Sequence, residues 1–368
     1  MLFFSSSVGN GFGGDYIYTK QISNTINSME NLLIIKIEHI KLAYIPIIFI
    51  FCPLLVFIPF MWRPMYRYKN IVTVLRNISK DNDTLVIDHF RNAWILLFCF
   101  LFKAKKVILV THNIENQIAK ECYLNKNIYV RVFYYFEYLK IRFWENIIFK
   151  YVSSITTITE EDAVNIKQHV DKITVIKPYY ACRNINENIT LNEGMKCLIV
   201  GSFNWKIKQE NLMALLNEFH VSDRPKNFEI LIAGTMPDFL SKLIISSFEF
   251  VTLRLNYSSL DDLVNISRLA IAPDQVGGGF KLKILDYFYL GLPVFGLKGS
   301  MNGISSSAKG VKSFSSYSLL VRGVLTQITD HANLSVMSIN NQRLLRDCFS
   351  EDMMEQQIEN LLNRTNEI

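Results

Sequence analysis

The densest chemical signal in the chain is Ala272-Pro273-Asp274-Gln275-Val276-Gly277-Gly278-Gly279-Phe280-Lys281-Leu282-Lys283-Ile284-Leu285-Asp286. An apolar strand runs into three consecutive glycines, and a helix follows that opens on two lysines and ends at Gly291 and Pro293. Amides at such a helix start, its positive dipole end and the ammonium groups of Lys281 and Lys283 make a site for a pyrophosphate. The glycines let the backbone come close to it. Asp286, within the same helix, is a candidate acceptor for ribose hydroxyls.

Two further patterns end strands. Thr111-His112-Asn113 follows the apolar run Lys106 to Val110, which places His112 at a strand's carboxyl end, where open α/β sheets bind their ligands. His89, in Asp88-His89-Phe90-Arg91, has the same placement. Gly9, Gly11, Gly13 and Gly14 follow the opening strand, and Gly9-x-Gly11-x-x-Gly14 matches the dinucleotide fingerprint, with Glu38 where a ribose-binding acid would lie. A tight turn without a ligand is the other reading of those glycines. No carboxylate pair suits a glycosidase and no His, Cys, Asp or Glu cluster has ligand spacing, so no metal is expected.

These patterns need a scaffold of strands and helices in alternation. The apolar runs Leu32 to Ile37, Thr84 to Asp88, Lys106 to Val110, Ser154 to Ile158 and Ile173 to Ile176 are separated by helical or turn-rich stretches. The pattern restarts after Pro178 with Cys197 to Val200, Glu229 to Ala233, Val251 to Leu255, Leu269 to Pro273 and Pro293 to Gly296. Two doubly wound α/β units follow, residues 1–180 and 195–345, with a linker near 178–194 and a closing helix in 346–368.

Composition sets the outer bounds. The 368 residues are 50% hydrophobic and 20% charged with a net charge of +6, which excludes a disordered chain and falls short of a nucleic-acid binder. Six scattered cysteines without a C-x-x-C pair fit a reducing, cytoplasmic setting. Met1 to Ser7 lacks a basic n-region and reads as a first strand, not as a signal peptide.

Much of the apolarity lies in two stretches. Leu42 to Trp62 is 21 residues long and uncharged, about what a bilayer span requires. Pro46, Pro53 and Pro59 argue against a helix there, so a buried strand followed by a proline-broken loop is preferred, with an interfacial loop as a third reading. Tyr129 to Tyr151 interleaves ten aromatics with Arg131, Lys140, Arg142 and Lys150, as an interfacial helix does. A large helix packed on its own domain would show the same mixture.

The order of these pieces resembles family 4 glycosyltransferases, of the bacterial surface-polysaccharide type. The likeness rests on Gly201-Ser202-Phe203-Asn204-Trp205-Lys206, Leu231-Ile232-Ala233-Gly234, Ser267 to Pro273 and the Gly277 to Pro293 block in the second half. In the first half it rests on the glycine turn, Asp88-His89, His112-Asn113 and Thr159-Glu160-Glu161-Asp162. Residues 40–80 are its least typical part. The resemblance implies the GT-B fold, with two Rossmann-like domains facing a central cleft, the first binding acceptor and the second binding the donor.

The resemblance also implies roles. It puts Gly13 and Gly14 near the donor phosphates and His112 against the transferred sugar, with Asp15, His89 and Asn113 on the acceptor side. Lys206 is the candidate for gripping the pyrophosphate beside Gly201, with Lys208 as its substitute. Gly277, Gly278, Gly279 and Phe280 would supply backbone amides, with Lys281 and Lys283 at basic positions of the motif. His112, Lys206 and Lys281 form the catalytic set. The family's paired glutamates fall on Gly278 and Asp286, so the first acid is missing and the second is one methylene shorter.

The implied activity is metal-independent, retaining transfer of a hexosyl group from a nucleotide-diphosphate sugar, a co-substrate and not a cofactor. The acceptor would be a saccharide, lipid-linked in cell-surface polysaccharide or lipopolysaccharide synthesis, reached by peripheral contact with the anionic inner face of the plasma membrane. An NAD-dependent oxidoreductase built on Gly9 to Gly14, and a catalytically silent scaffold of the same fold, are the alternatives.

Overall fold

The computed structural model describes residues 1–7, 13–38, 57–78, 84–98, 106–124, 128–167, 172–180, 191–275, 279–304 and 308–366. The chain divides into two compact units, Met1–Tyr179 with Asp352–Ile368, and Tyr180–Glu351.

The first unit is built on six parallel strands in the order β2-β1-β3-β4-β5-β6. These are β1 (Leu2–Ser5), β2 (Leu33–Lys36), β3 (Thr84–Asp88), β4 (Lys106–Val110), β5 (Ser154–Thr157) and β6 (Ile173–Val175). β1, β3 and β5 are buried along their whole length, as expected of strands covered on both faces. The helices are α1 (Gly14–Met29), α2 (Tyr68–Ile78), α3 (Glu115–Leu124), α4 (Ile128–Tyr151) and α5 (Glu160–Lys167). Register pairs Phe3 with Val86 and Ile87 with Leu109, so the core runs through Phe4, Ile87, Leu109 and Ile155.

Residues 42–56, most of the long uncharged stretch, lie outside the described residues. The end of that stretch is a 3-10 turn, Phe60–Tyr66, whose Trp62 is wholly buried and donates to the carbonyl of Phe90 at 3.0 Å. No helix among the described residues is long and apolar enough to cross a membrane.

The second unit carries β7 (Lys196–Ser202), β8 (Glu229–Thr235), β9 (Val251–Leu255), β10 (Leu269–Ala272), β11 (Val294–Leu297) and β12 (Val311–Phe314), all parallel, in the order β12-β11-β10-β7-β8-β9. Its helices are α6 (Lys206–Val221), α7 (Asp238–Ser247), α8 (Lys283–Tyr289), α9 (Tyr317–Gln327) and α10 (His331–Cys348). Counted within the unit, this is the 3-2-1-4-5-6 order of nucleotide-binding Rossmann sheets, whereas the first unit has the order 2-1-3-4-5-6, the flavodoxin-like 2-1-3-4-5 with a sixth strand added. β7 and β8 come close at their ends. A Cβ on Gly234, whose φ is +139°, would lie 1.8 Å from the Gly201 carbonyl oxygen, so only glycine fits.

The last helix, α11 (Glu351–Asn366), returns to the first unit. There Thr365 meets Ser154 at 3.2 Å, and Gln357 accepts from the Lys177 amide at 2.8 Å.

Candidate functional site

The strand order of each sheet reverses once, between β1 and β3 and between β7 and β10, and loops leaving such neighbours diverge to open a crevice at the strands' carboxyl ends. A polar cluster occupies each of these switch points.

In the first unit the cluster is organised by Asp88, the wholly buried last residue of β3. Ser5 and Thr19 donate their hydroxyls to Oδ2 at 2.5 and 3.0 Å, and His112 Nε2 lies 2.8 Å from Oδ1. Burial opposes the charge, but the imidazoles of His89 and His112 and the hydrogen bonds from His112 and Ser5 hold Asp88 well below the usual carboxylate range. An ionised carboxylate only accepts, so the proton sits on Nε2 of His112 and its Nδ1 faces Asp15, 3.9 Å away. Tyr18 meets the same ring edge-on at 4.9 Å.

His89 follows at φ +64°, a left-handed conformation that costs a non-glycine residue on the order of 1 kcal/mol. Its amide donates to Val110 at 2.9 Å and Asn92 anchors both neighbouring carbonyls, donating to those of His89 and Asp88. This conformation stacks His89 on His112, with ring centres 3.5 Å apart and planes inclined by 18°. Arg91 lies 2.8 Å from His89 Nε2 and 3.1 Å from Asp15, which belongs to the first turn of α1. Gly13, at φ +115°, caps that helix, and Gly14 is its first residue.

Asp15, His89 and His112 bring three possible ligand atoms within 4.8 Å of one another. They do not suit one cation. Lone pairs of nearly parallel stacked rings run side by side and do not converge, and His89 Nε2 already accepts from a guanidinium. The arrangement suits a ligand rich in hydroxyls.

Behind His112 lies a second carboxylate that the sequence did not single out. Glu145 of α4, 1% exposed, accepts the amides of Glu115 and Asn116 at 2.9 and 3.2 Å, capping α3 just beyond the His112 loop. Burial, and then the neighbouring Glu115, push it up to about 8; burial pushes Glu115 up to about 7, with Arg91 opposing. Asn113 is half-buried in that loop.

In the second unit the cluster is cationic. Asp274, two residues beyond β10, pairs with Lys283 at the start of α8. Burial opposes its charge, while Lys283, Lys281 and Lys208 together hold it below the ordinary range. Burial and the nearby Lys283 ammonium lower Lys208 in turn, and Asp274 raises it. Asp286 is pushed up to about 6 by burial, against a hydrogen bond from Tyr180 and the charge of Lys283. Lysines in the first turn of a helix oppose its dipole, so Lys208 and Lys283 are placed where an anion offsets a local cost of about 0.3–1 kcal/mol each.

Of the residues read from sequence, the structure brings Lys208, Lys281, Lys283 and Asp286 together, and Asp15, His89 and His112 together. Lys206 is not among the first group: it is exposed and 3.8 Å from Glu210, while Lys208, the substitute, takes its place. Gly201 serves the close approach of β7 and β8. Gly279 has φ +68° and Phe280 packs on Phe349 at 5.4 Å. Gly277 and Gly278, and Gly9 and Gly11 of the dinucleotide fingerprint, lie outside the described residues. Glu38, the acid of that fingerprint, pairs with Arg67. Asp88 and Asp274 were not singled out from sequence, although one closes an apolar strand and the other lies two residues beyond one.

The aromatic stretch separates into two faces of α4. Ile141, Ile148 and Phe149 are buried with Glu145, and Lys140 turns inward to Glu137 and to the Ile58 carbonyl. Val132, Tyr135, Phe136, Leu139 and Phe143 are exposed in a stripe that ends near Arg142 and Lys150.

No family model matches the chain, and no curated protein matches it in sequence. Among solved structures, sucrose-phosphate synthase from Thermosynechococcus elongatus has a TM-score of 0.69 at 10% identity, over 100% of this chain and 98% of that one. Anabaena HepE in complex with UDP and glucose has a TM-score of 0.65 at 12% identity, over 98% of each chain. TarM has a TM-score of 0.62 at 13% identity over 81% of this chain, which spans only 58% of TarM. At these identities the likeness is one of fold, and the fold is GT-B, with two doubly wound parallel sheets.

Proposed function

We propose that the protein is a glycosyltransferase that moves a sugar from a nucleotide-diphosphate sugar to a saccharide acceptor. The observation that carries this reading is the lysine cluster Lys208, Lys281 and Lys283 with Asp286, at the switch point of a sheet with nucleotide-binding strand order. HepE, which has the same fold, is described in complex with UDP and glucose.

The chemistry divides between the units. Lys208, Lys281 and Lys283 stabilise the charge that develops on the departing nucleoside diphosphate, a task that a divalent cation performs elsewhere. Asp286, which receives a hydrogen bond from Tyr180, accepts from ribose hydroxyls. His112, held by Asp88, and Asp15 beside it bind sugar hydroxyls, and Gly13 leaves open space next to them. Transfer is retaining and needs no metal in this reading, and Lys206 contributes at most at the rim.

The acceptor is lipid-linked in this proposal, and the protein works peripherally on the inner face of an anionic membrane. The exposed apolar stripe of α4, bordered by Arg142 and Lys150, supports that placement. Binding to vesicles containing anionic lipid should survive high salt and be lost in Phe136→Ser/Phe143→Ser; binding abolished by salt alone would refute the apolar contact. The function itself is tested by incubating the protein with UDP-, GDP- and ADP-sugars and short saccharides, with and without chelator. Release of nucleoside diphosphate coupled to sugar transfer is expected. Binding without turnover would favour a silent scaffold, a reading motivated by glycine at position 278. An oxidoreductase is disfavoured, because Glu38 is engaged by Arg67 and the nucleotide-binding strand order belongs to the other unit.

A further inference from the structure

Asp274 is out of place in an anion site. It is 7% exposed, no substrate hydroxyl is needed to explain it, and its carboxylate holds the amine of Lys283 that a phosphate would otherwise take. Its position is built in. Ser300 donates its hydroxyl to the carbonyls of Ala272 and Asp274 at 2.8 and 2.9 Å, and Gly299 lets that backbone approach, since a Cβ there would lie 2.4 Å from the Gln275 carbonyl oxygen. Tyr317 of α9 closes the other side, donating to the Pro273 carbonyl or Asn211 at 3.1 Å.

We propose that Asp274 is an internal counter-anion that limits how tightly the lysine cluster holds the released nucleoside diphosphate. With all groups ionised, Lys208, Lys281 and Lys283 against Asp274 and Asp286 sum to one positive charge, and Asp274 accounts for one of the two negative charges. The pyrophosphate of a nucleotide-diphosphate sugar carries two negative charges, and the nucleoside diphosphate left after transfer carries about three above pH 7, because its terminal phosphate can ionise again. A cluster without Asp274 would carry one more positive charge, hold that product more tightly and release it more slowly. Asp274 is thus a positioning residue: it orients Lys283 and keeps the charges of Lys208 and Lys283 compatible at close range. The groups that face it are Lys208 on α6, Lys281 and Lys283 before and on α8, and Tyr317 on α9, whose hydroxyl burial and Asp274 together push up to about 12.

The inference rests on the donor-site reading, and one titration separates the two. Calorimetry with inorganic pyrophosphate, UDP and GDP at fixed ionic strength and pH 7 is carried out on the wild type, Asp274→Asn, Lys283→Gln and the double variant. Failure of the wild type to bind any of the three overturns the donor site itself. Given wild-type binding, Asp274→Asn should bind nucleoside diphosphate about five- to tenfold more tightly. Lys283→Gln should bind weakly, because the bare carboxylate then faces the anion, and the double variant should recover part of the loss. Rescue by removing the carboxylate is the outcome that a merely structural role would not produce, and it remains readable if Asp274→Asn alone folds poorly. Unchanged or weaker binding in Asp274→Asn, with no recovery in the double variant, would overturn the proposal.

Discussion

The two units share an architecture and differ in what converges on one buried aspartate. Asp88 closes β3 of the first sheet and receives two hydroxyls and an imidazole. Asp274 follows β10 of the second sheet and is ringed by three lysines. Each lies at a switch point, where diverging loops leave a crevice. A carboxylate fed by neutral donors fixes a tautomer and so aims a hydrogen bond; one fed by ammonium groups balances charge. The fold supplies the crevice twice, and the side chains decide that one side suits hydroxyls and the other phosphates.

The largest effect should come from Lys283→Met, which attacks the second site at its centre. It removes a cation from the proposed pyrophosphate site and leaves Asp274 buried without its partner, so transfer should fall by about 10²–10³-fold and stability by about 3–5 kcal/mol. Steady-state kinetics with the donor identified by the sugar panel, and urea unfolding at the same pH, measure both losses. Full activity in a folded variant would move the phosphate site away from α8. Lys206→Met is the internal control, expected to change the rate by less than about threefold because Lys206 projects into solvent.

How far these sites were legible in the sequence follows from which contacts are local. The parallel α/β character was legible because short apolar runs such as Thr84–Asp88 and Lys106–Val110 become strands with those same ends. The lysine cluster was largely legible too, since Lys281, Lys283 and Asp286 fall within six residues of one another. The choice between Lys206 and Lys208 was not. It depends on where α6 begins and which way each side chain leaves its first turn. Asp88 and His112 are 24 positions apart, and Glu145 caps amides 29 and 30 positions before it. Such pairings arise from strand order and helix packing, for which one sequence has no local signature. The aromatic stretch of α4 was ambiguous for a physical reason: one helix carries a packed face and an exposed apolar face, and their periodicities overlap.

A smaller effect is expected at the first site from Asp88→Asn. The amide keeps the shape but can donate toward His112 Nε2, which moves the ring proton to Nδ1 and reverses the polarity presented to Asp15 and to substrate. We expect about a 10–100-fold loss in kcat/KM with KM for the donor nearly unchanged, because the proposed nucleotide site belongs to the other unit. The pH profile of kcat/KM should also shift, which loss of packing alone would not cause. An unshifted profile with wild-type activity would show that His112 needs no orienting carboxylate. Equal losses in donor affinity and turnover would erase the division of labour between the two sites.

The smallest effect, in stability and not in rate, concerns a buried acid of the first unit whose charge is opposed both by burial and by a second acid, Glu115. Glu145 titrates at about 8 in the folded protein against 4.5 in the unfolded chain, so between those values the folded chain holds a proton that the unfolded chain has released. Stability from this group therefore falls as pH rises from about 4.5 to about 8. Asp274 has the opposite sign: its lowered value makes its contribution present at neutral pH and lost as pH falls through the acid range. Glu145→Gln keeps an oxygen to accept the amides of Glu115 and Asn116 but cannot ionise. Thermal unfolding from pH 6 to pH 9 should show the wild type losing ground to the variant, by about 2–4 °C for each kcal/mol of difference. Asp274→Asn should run parallel to the wild type over the same interval and diverge from it only below about pH 4. Parallel curves for Glu145→Gln would mean that the carboxylate finds a counter-charge when it ionises, and the contrast between a balanced and an unbalanced buried acid would then fail.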